Sequence, residues 1–338
     1  MRAPYFMQSA YALIIFSALE LYASQPAAAL DVAEPQVRQF IETMARNDGF
    51  KTKRLRQLFR HVEIKQSIID AANHPAERVL AWNEYRGQFV NDSHILPGVE
   101  FLRAHAAAIA KASAEGVPSF VLLGILGAET RFGRQTGRYR VIDALATRAF
   151  GMQARAEFFR NELEQFLLLA REETLDPLQV RGSYSGAMGA AQFMPSSYRK
   201  FAVDENHDGR RDLWNSWDDV LGSIANFLMN HGWHNAEPVV IPAQLPSGDL
   251  EPFDLSTVAL NETVASLKSK GVQFDTQMAE DTPALLIVVQ GPDGRQYRVG
   301  FNNFYVITRY NHSIMYALAV HDLGRAIEDA AQEAVAPK

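Results

Sequence analysis

Glu129 is the side chain around which a chemical reading of this sequence forms. It lies in VPSFVLLGILGAETRFG, Val117 to Gly133, where Pro118 and Ser119 supply a helix start, the apolar run is long enough for about three turns, and Gly133 can end them. Leu122, Ile125 and Leu126 stand seven, four and three positions before Glu129, so the carboxylate shares a helix face with three large aliphatic side chains. A carboxyl held among them points inward. Desolvation disfavours its charged form, raises its pKa and lets it carry a proton near neutral pH, as a general acid requires. The alternative on this stretch alone is a partly buried Glu paired with Arg131 or Arg134 to fix the helix end.

Four further stretches carry polar groups in patterns that chemistry can use. The run Gly182 to Ser197, GSYSGAMGAAQFMPSS, has three glycines and small residues around Ser183, Tyr184, Ser185 and Gln192, and reads as a tight turn or hairpin. Its Ser and Gln side chains offer the uncharged donors and acceptors that a sugar ring uses, although plain turn formation explains them as well. In Asp204 to Asn215, DENHDGRRDLWN, the residues Asp204, Asn206, Asp208 and Gly209 match the first half of a calcium loop. Asn215 takes the place of the bidentate Glu at the twelfth position, and Asp218 stands three residues on to close the shell; the other reading is a solvated acidic turn. Trp82, Tyr85, Arg86 and Phe89 fall in WNEYRGQF at a spacing that presents a ring and a charge together to a cleft, or simply packs a core. Tyr310, Asn311 and Tyr316 stand at the entrance to an apolar helical stretch from Ile314 to Leu323.

The elements that must position these groups are mostly helical. Helical spacing runs from Val32 to Ala114, with Pro97-Gly98 expected as a break, and resumes over Val141 to Phe150, Ala154 to Glu172 and Ser216 to Trp233. Four prolines between Pro238 and Pro252 mark a boundary. The segment after it differs, with one helix expected at Asn261 to Lys270 and a hairpin pairing Leu285 to Gln290 with Gln296 to Val299 across Gly291 to Gly294. The expected fold class is mainly α (α+β). Its parts are a leader at 1–29, a helical N-terminal part at 30–97, a core at 98–236, a small α/β insertion at 237–300, and a return to the core at 301–338.

Composition narrows the function classes. The 338 residues are 47% hydrophobic and 21% charged, as in ordinary globular chains, and a net charge of -6 without any basic block argues against nucleic acid and anionic lipid as partners. With no cysteine, the sequence excludes thiol chemistry, disulfides and lipid attachment through an N-terminal Cys. Arg2, an apolar stretch from Ala10 to Leu19 and the run Ala27-Ala28-Ala29 read as a secretory leader, with an uncleaved N-terminal anchor as the other reading; the leader predicts export and a mature chain from near Leu30.

GILGAETRFG, RVIDALATRAF, GSYSGAMGAAQFMPSSY, the DENHDG loop and FYVITRYNHSIMYALAV, in that order and spacing, resemble the membrane-bound lytic murein transglycosylase B family over about Val32 to Gly324. The resemblance implies a lysozyme-like core with a groove for peptidoglycan glycan strands and a small inserted β-containing domain. It puts the catalytic acid on Glu129 and groove-lining positions on Ser183 and Gln192. Tyr310, Asn311 and Tyr316 would stand beside the scissile bond, Tyr85 would be the family's aromatic, and Arg155 a substrate-side arginine. Ala154 departs from the pattern, which has an arginine pair there. The same resemblance implies no cofactor for catalysis, but a structural calcium on Asp204, Asn206, Asp208, the backbone of Arg210, and Asp218. Lacking the lipid-anchor Cys, the chain resembles a soluble periplasmic relative, with glycan strands and other cell-wall enzymes as its partners.

Three functions compete on this sequence. A lytic transglycosylase would cleave the β-1,4 bond between N-acetylmuramic acid and N-acetylglucosamine and leave 1,6-anhydro ends, with Glu129 as acid and then base. A hydrolytic muramidase needs a second carboxylate. A catalytically silent glycan-binding scaffold needs no acid at all.

Overall fold

The computed structural model describes residues 28–73 and 80–333; the expected leader lies outside them except for Ala28 and Ala29. The fold is mainly α with small antiparallel sheets, and the chain is organised as two compact units. Among described residues, one unit comprises 80–132 and 221–333 and the other 28–73 and 133–220.

In the first unit, the helix Ser119–Thr130 is buried on nearly every side and packs along the helix Ile314–Glu333. Two glycines make that packing possible. A Cβ on Gly124 would collide with the Val320 carbonyl oxygen, and one on Gly324 with the Phe120 carbonyl oxygen, so the two backbones touch where any larger residue would hold them apart. The antiparallel register that pairs Gly124 with Val320 and Phe120 with Gly324 carries on to bring Glu129 opposite Tyr316.

Pro97 and Gly98 do not break the chain as expected but lie inside the helix Asp92–Ala104. Asn91 caps its start by accepting the Ser93 N–H at 3.0 Å, while Gly98 sits where a Cβ would meet Ile327 and Phe132. Burial of Gly98, Val99 and Phe101 therefore outweighs the roughly 3 kcal/mol that an interior proline costs.

The same unit carries a four-stranded antiparallel sheet in the order Val240–Ala243, Gly294–Gly300, Pro283–Gly291, Glu262–Thr263. The hairpin turns across Gly291 and Gly294, as the sequence predicts. The expected helix at Asn261 to Lys270 is shorter, Val264–Ser269, because Glu262 and Thr263 pair with Ala284 and Pro283 first. Thr263 then caps it through the Ser266 N–H at 3.1 Å. Leu267, Leu286, Val299 and Phe301 fill the apolar interior of this segment.

The second unit is built on the packed pair Val141–Phe150 and Ala156–Glu172. The helix Pro35–Asn47 begins on its proline and buries Val37, Phe40, Ile41 and Met44, one face at helical spacing, with Phe40 against Phe59 and Phe150. Asp143 is fully buried, accepting the Glu63 N–H at 3.0 Å and the Arg140 guanidinium at 2.7 Å. That carboxylate ties a short strand to a helix and is fully engaged in doing so.

Candidate active site

Glu129 stands in the last turn of Ser119–Thr130, where Leu122, Ile125 and Leu126 are fully buried and Glu129 itself is partly accessible. Pro118 begins this helix by accepting the Val121 N–H at 3.0 Å. The end is abrupt: Arg131, Phe132 and Gly133 all have positive φ, at 49°, 59° and 78°, and the Arg131 and Phe132 N–H groups close back on Gly127 and Leu126. Two non-glycine residues in the left-handed region, beginning two positions after the acidic side chain, are strain of the kind that collects at functional sites. The buried Phe132 ring, 5.3 Å from Phe101, helps hold it.

The carboxyl has the environment that the spacing of aliphatic residues predicts. Burial pushes its pKa up to about 7, and the hydrogen bond donated by the Tyr316 hydroxyl to Oε1 at 2.6 Å pulls the other way. No carboxylate of the described residues hydrogen-bonds to it. Arg131 is not its partner either: the Arg131 Nε donates to His94 Nε2 at 3.1 Å, and burial, then the Arg131 charge, push His94 down to about 4. His94 is thus neutral near pH 7, with Nδ1 placed 3.3 Å from Asn91 Oδ1. Sequence reasoning missed this pair, which joins residues 37 positions apart.

Tyr316 is fully buried, and Tyr85 and Tyr310 come close enough for the Glu129 charge to act on them. Burial first and that charge second hold all three phenols above their ordinary pKa, so each stays a neutral hydroxyl. The structure therefore gathers Glu129, Tyr85, Tyr310 and Tyr316 into one site. Asn311 lies in the short bend between the helices Asn302–Tyr310 and Ile314–Glu333. The helix Trp82–Phe89 buries Trp82, Tyr85 and Phe89 as core. Its Arg86 donates to Asp322 at 2.8 Å, and Arg298 holds the same carboxylate at 2.7 and 3.0 Å, a hub that sequence spacing does not reveal.

Arg155, Ser183 and Gln192 belong to the second unit. The Ser183 hydroxyl accepts the N–H groups of Ser185 and Ala187 at 3.2 and 3.0 Å, and the Gln192 amide donates to the carbonyls of Thr136 and Gly189 at 3.2 and 2.9 Å. Both side chains brace the loop, in line with turn formation, and Gln192 has φ 50°. Arg155 is exposed at the start of Ala156–Glu172, over the Phe158 ring at 4.3 Å.

The Asp204 loop folds on its own carboxylates. Asp204 accepts the N–H groups of Asp208 and Gly209 at 3.0 and 2.8 Å, Asn206 that of Asp208 at 2.9 Å, and Asp208 that of Arg210 at 3.0 Å. Asp218 lies in the first turn of Trp217–Asn230 beside Asp219, which is fully buried and accepts the Glu205 and Asp212 N–H groups, each at 2.9 Å. Among the described residues no three His, Cys, Asp or Glu side chains converge closely enough to hold a metal. The donors fit a hard cation only as a mixed oxygen set, in which an Asn amide and a backbone carbonyl join the carboxylates.

A family model described as the transglycosylase SLT domain matches residues 32–325. The chain is 37% identical over 308 residues to membrane-bound lytic murein transglycosylase B of Escherichia coli K12, covering 87% of this chain and 82% of that protein. It superposes on the crystal structure of the soluble lytic transglycosylase SltB1 from Pseudomonas aeruginosa with a TM-score of 0.84 and 45% identity, over 88% of this chain and 99% of the other. It also superposes on the Escherichia coli lytic transglycosylase Slt35 in complex with calcium with a TM-score of 0.81 and 38% identity, over 90% and 97%. Among the described residues, no helix is long and apolar enough to cross a membrane.

Proposed function

Because the chain belongs to the transglycosylase SLT family, we infer that it is a peptidoglycan lytic transglycosylase, cleaving the β-1,4 bond between N-acetylmuramic acid and N-acetylglucosamine and leaving a 1,6-anhydro-muramoyl end. The observation that carries the chemistry is a single carboxyl, raised to about 7 by burial and hydrogen-bonded to Tyr316. Neutral Glu129 protonates the bridging oxygen as the bond from the muramoyl C1 to that oxygen breaks. The resulting carboxylate then takes the proton of the muramoyl C6 hydroxyl as O6 bonds to C1. The two transfers cancel, Glu129 ends protonated, and no water is consumed. Tyr316 stabilises the carboxylate between the steps, and Tyr85 and Tyr310, kept neutral, offer hydroxyls to the sugars.

Asn311, Ser183, Gln192 and Arg155 hold the strand in this reading. A calcium ion on Asp204, Asn206, Asp208, the Arg210 carbonyl and Asp218 stabilises the loop without entering the reaction, a reading supported by the oxygen-rich loop and by the calcium complex of Slt35. The place of action is the periplasm after leader removal, where other wall enzymes meet the same strands. Incubating the protein with purified sacculi and weighing the fragments tests the activity. Products lighter than the corresponding muramidase products by one water are expected; reducing ends would assign a hydrolase, and binding without release a scaffold.

A further inference from the structure

Asp322, buried on the helix Ile314–Glu333, joins that helix to two other elements through one carboxylate. Its Oδ2 accepts the Arg86 Nε–H at 2.8 Å from the helix Trp82–Phe89, and the Arg298 guanidinium, from the strand Gly294–Gly300, donates to Oδ1 and Oδ2 at 2.7 and 3.0 Å. His321 Nδ1 lies 3.1 Å from Oδ1. Burial pushes the Asp322 pKa up, but His321, Arg298 and Arg86 together hold it well below the usual carboxylate range, so the hub stays ionised. Arg298 also lies over the Trp82 ring at 5.8 Å, a second tie from the same strand to the helix Trp82–Phe89. That helix depends on such ties, because its 8 residues are too few to hold a helix alone in water. Directly before Arg86 it carries Tyr85, whose ring packs between Trp82 at 6.4 Å and Phe89 at 5.2 Å and whose phenol feels the Glu129 charge.

We propose that Asp322 is a positioning residue for the reaction: by gripping Arg86 and Arg298 it fixes the helix Trp82–Phe89, and with it the Tyr85 hydroxyl, against the helix whose Tyr316 meets Glu129, a role that rests on the activity proposed above. Packing of Trp82 and Phe89 keeps the helix buried but leaves it free to slide, whereas a charge-assisted hydrogen bond from Arg86 and a two-pronged grip by Arg298 set one register. The four-stranded sheet thereby takes part in the chemistry without touching the substrate, since its Arg298 supplies the more extensive grip on the hub. A hydroxyl displaced by about 1 Å from a reacting sugar can cost up to about 100-fold in rate, so the hub has leverage on turnover from outside the site.

The test is a double-mutant cycle on kcat/KM, in which Asp322→Asn and Arg86→Gln are each made in the native enzyme and in Tyr85→Phe. Each should lower kcat/KM about tenfold in the native enzyme and less than about twofold in Tyr85→Phe, where the hydroxyl to be positioned is already gone. Arg86→Lys, which keeps a cation on Asp322, should restore most of the loss. Arg86 is partly exposed, so Arg86→Gln carries the same cycle should Asp322→Asn not fold. The cycle is repeated without turnover, as binding of a tetrasaccharide of alternating N-acetylglucosamine and N-acetylmuramic acid to Glu129→Gln, where Arg86→Gln and Tyr85→Phe should again weaken binding by less together than the product of their separate effects. Reducing ends from the native protein would overturn the proposed activity and leave this coupling standing. Equal losses with and without the Tyr85 hydroxyl would make the hub a fold contact only and overturn the proposal, as would unchanged kcat/KM in a folded Asp322→Asn.

Discussion

Glu129 and the Asp204 loop put the same functional group to opposite uses, and the backbone around each decides which. At Glu129 the surrounding helix has its N–H groups committed within the helix, the neighbours are aliphatic, and one phenol is the hydrogen-bond donor to the carboxyl, so a proton is retained near neutrality. In the loop, turns aim free N–H groups at Asp204, Asp208 and Asp219, and those carboxylates serve as acceptors that shape the chain. A carboxyl becomes an acid when its environment withholds donors, and a scaffold when it supplies them.

The largest expected effect breaks the first side of the comparison. Glu129→Gln keeps the shape and removes the transferable proton, so turnover on sacculi should fall by about 10³-fold or more while glycan binding persists. Residual activity near that of the native enzyme would move the acid elsewhere.

The same variant sharpens the electrostatic claim. Folded Glu129 titrates near 7 and its unfolded counterpart near 4.5, so between these values the unfolded chain releases a proton that the folded one keeps. Rising pH across that window therefore destabilises the native protein, by about 3 kcal/mol at most. Glu129→Gln lacks this penalty: its stability advantage in urea unfolding should grow from pH 4.5 to pH 7 and then level off, whereas a constant difference would place an ionised Glu129 in the fold.

Tyr316→Phe removes the donor that favours the charged form, so the Glu129 pKa rises further. Activity should fall about tenfold, and the limb lost as pH rises through about 7 should move to higher pH. An unmoved limb would detach Tyr316 from the acid. The smallest effect concerns the loop: millimolar calcium should raise the melting temperature by a few degrees, and Asp208→Ala should remove that response with little change in turnover.

How much of this could be read from residues alone depends on the range of the interaction. The acid helix, its aliphatic face and the Gly291 to Gly294 hairpin are local patterns, and they stand in the structure where periodicity and turn chemistry put them. Pro97 misled because its helix is held by Ile327 and Phe132, which no local rule sees. The Arg131 bond to His94, the Asp322 hub and the Tyr316 hydroxyl on Glu129 join residues 37, 236 and 187 positions apart, pairings that only the packed chain discloses. The family resemblance supplied Tyr316 as a site residue; the close approach at Gly124 and Gly324 explains why it faces the acid.

The central claim is that one carboxyl suffices because the nucleophile is the substrate's own C6 hydroxyl. Peptidoglycan carrying O-acetyl on the muramoyl C6 lacks that nucleophile but leaves water available. Rates of release from acetylated and chemically deacetylated sacculi, with products weighed by mass spectrometry, test the claim most directly. Release should be nearly absent from acetylated regions, should return on deacetylation, and should give only 1,6-anhydro ends. Equal rates on both substrates, or reducing ends from either, would contradict the account and require a second carboxylate.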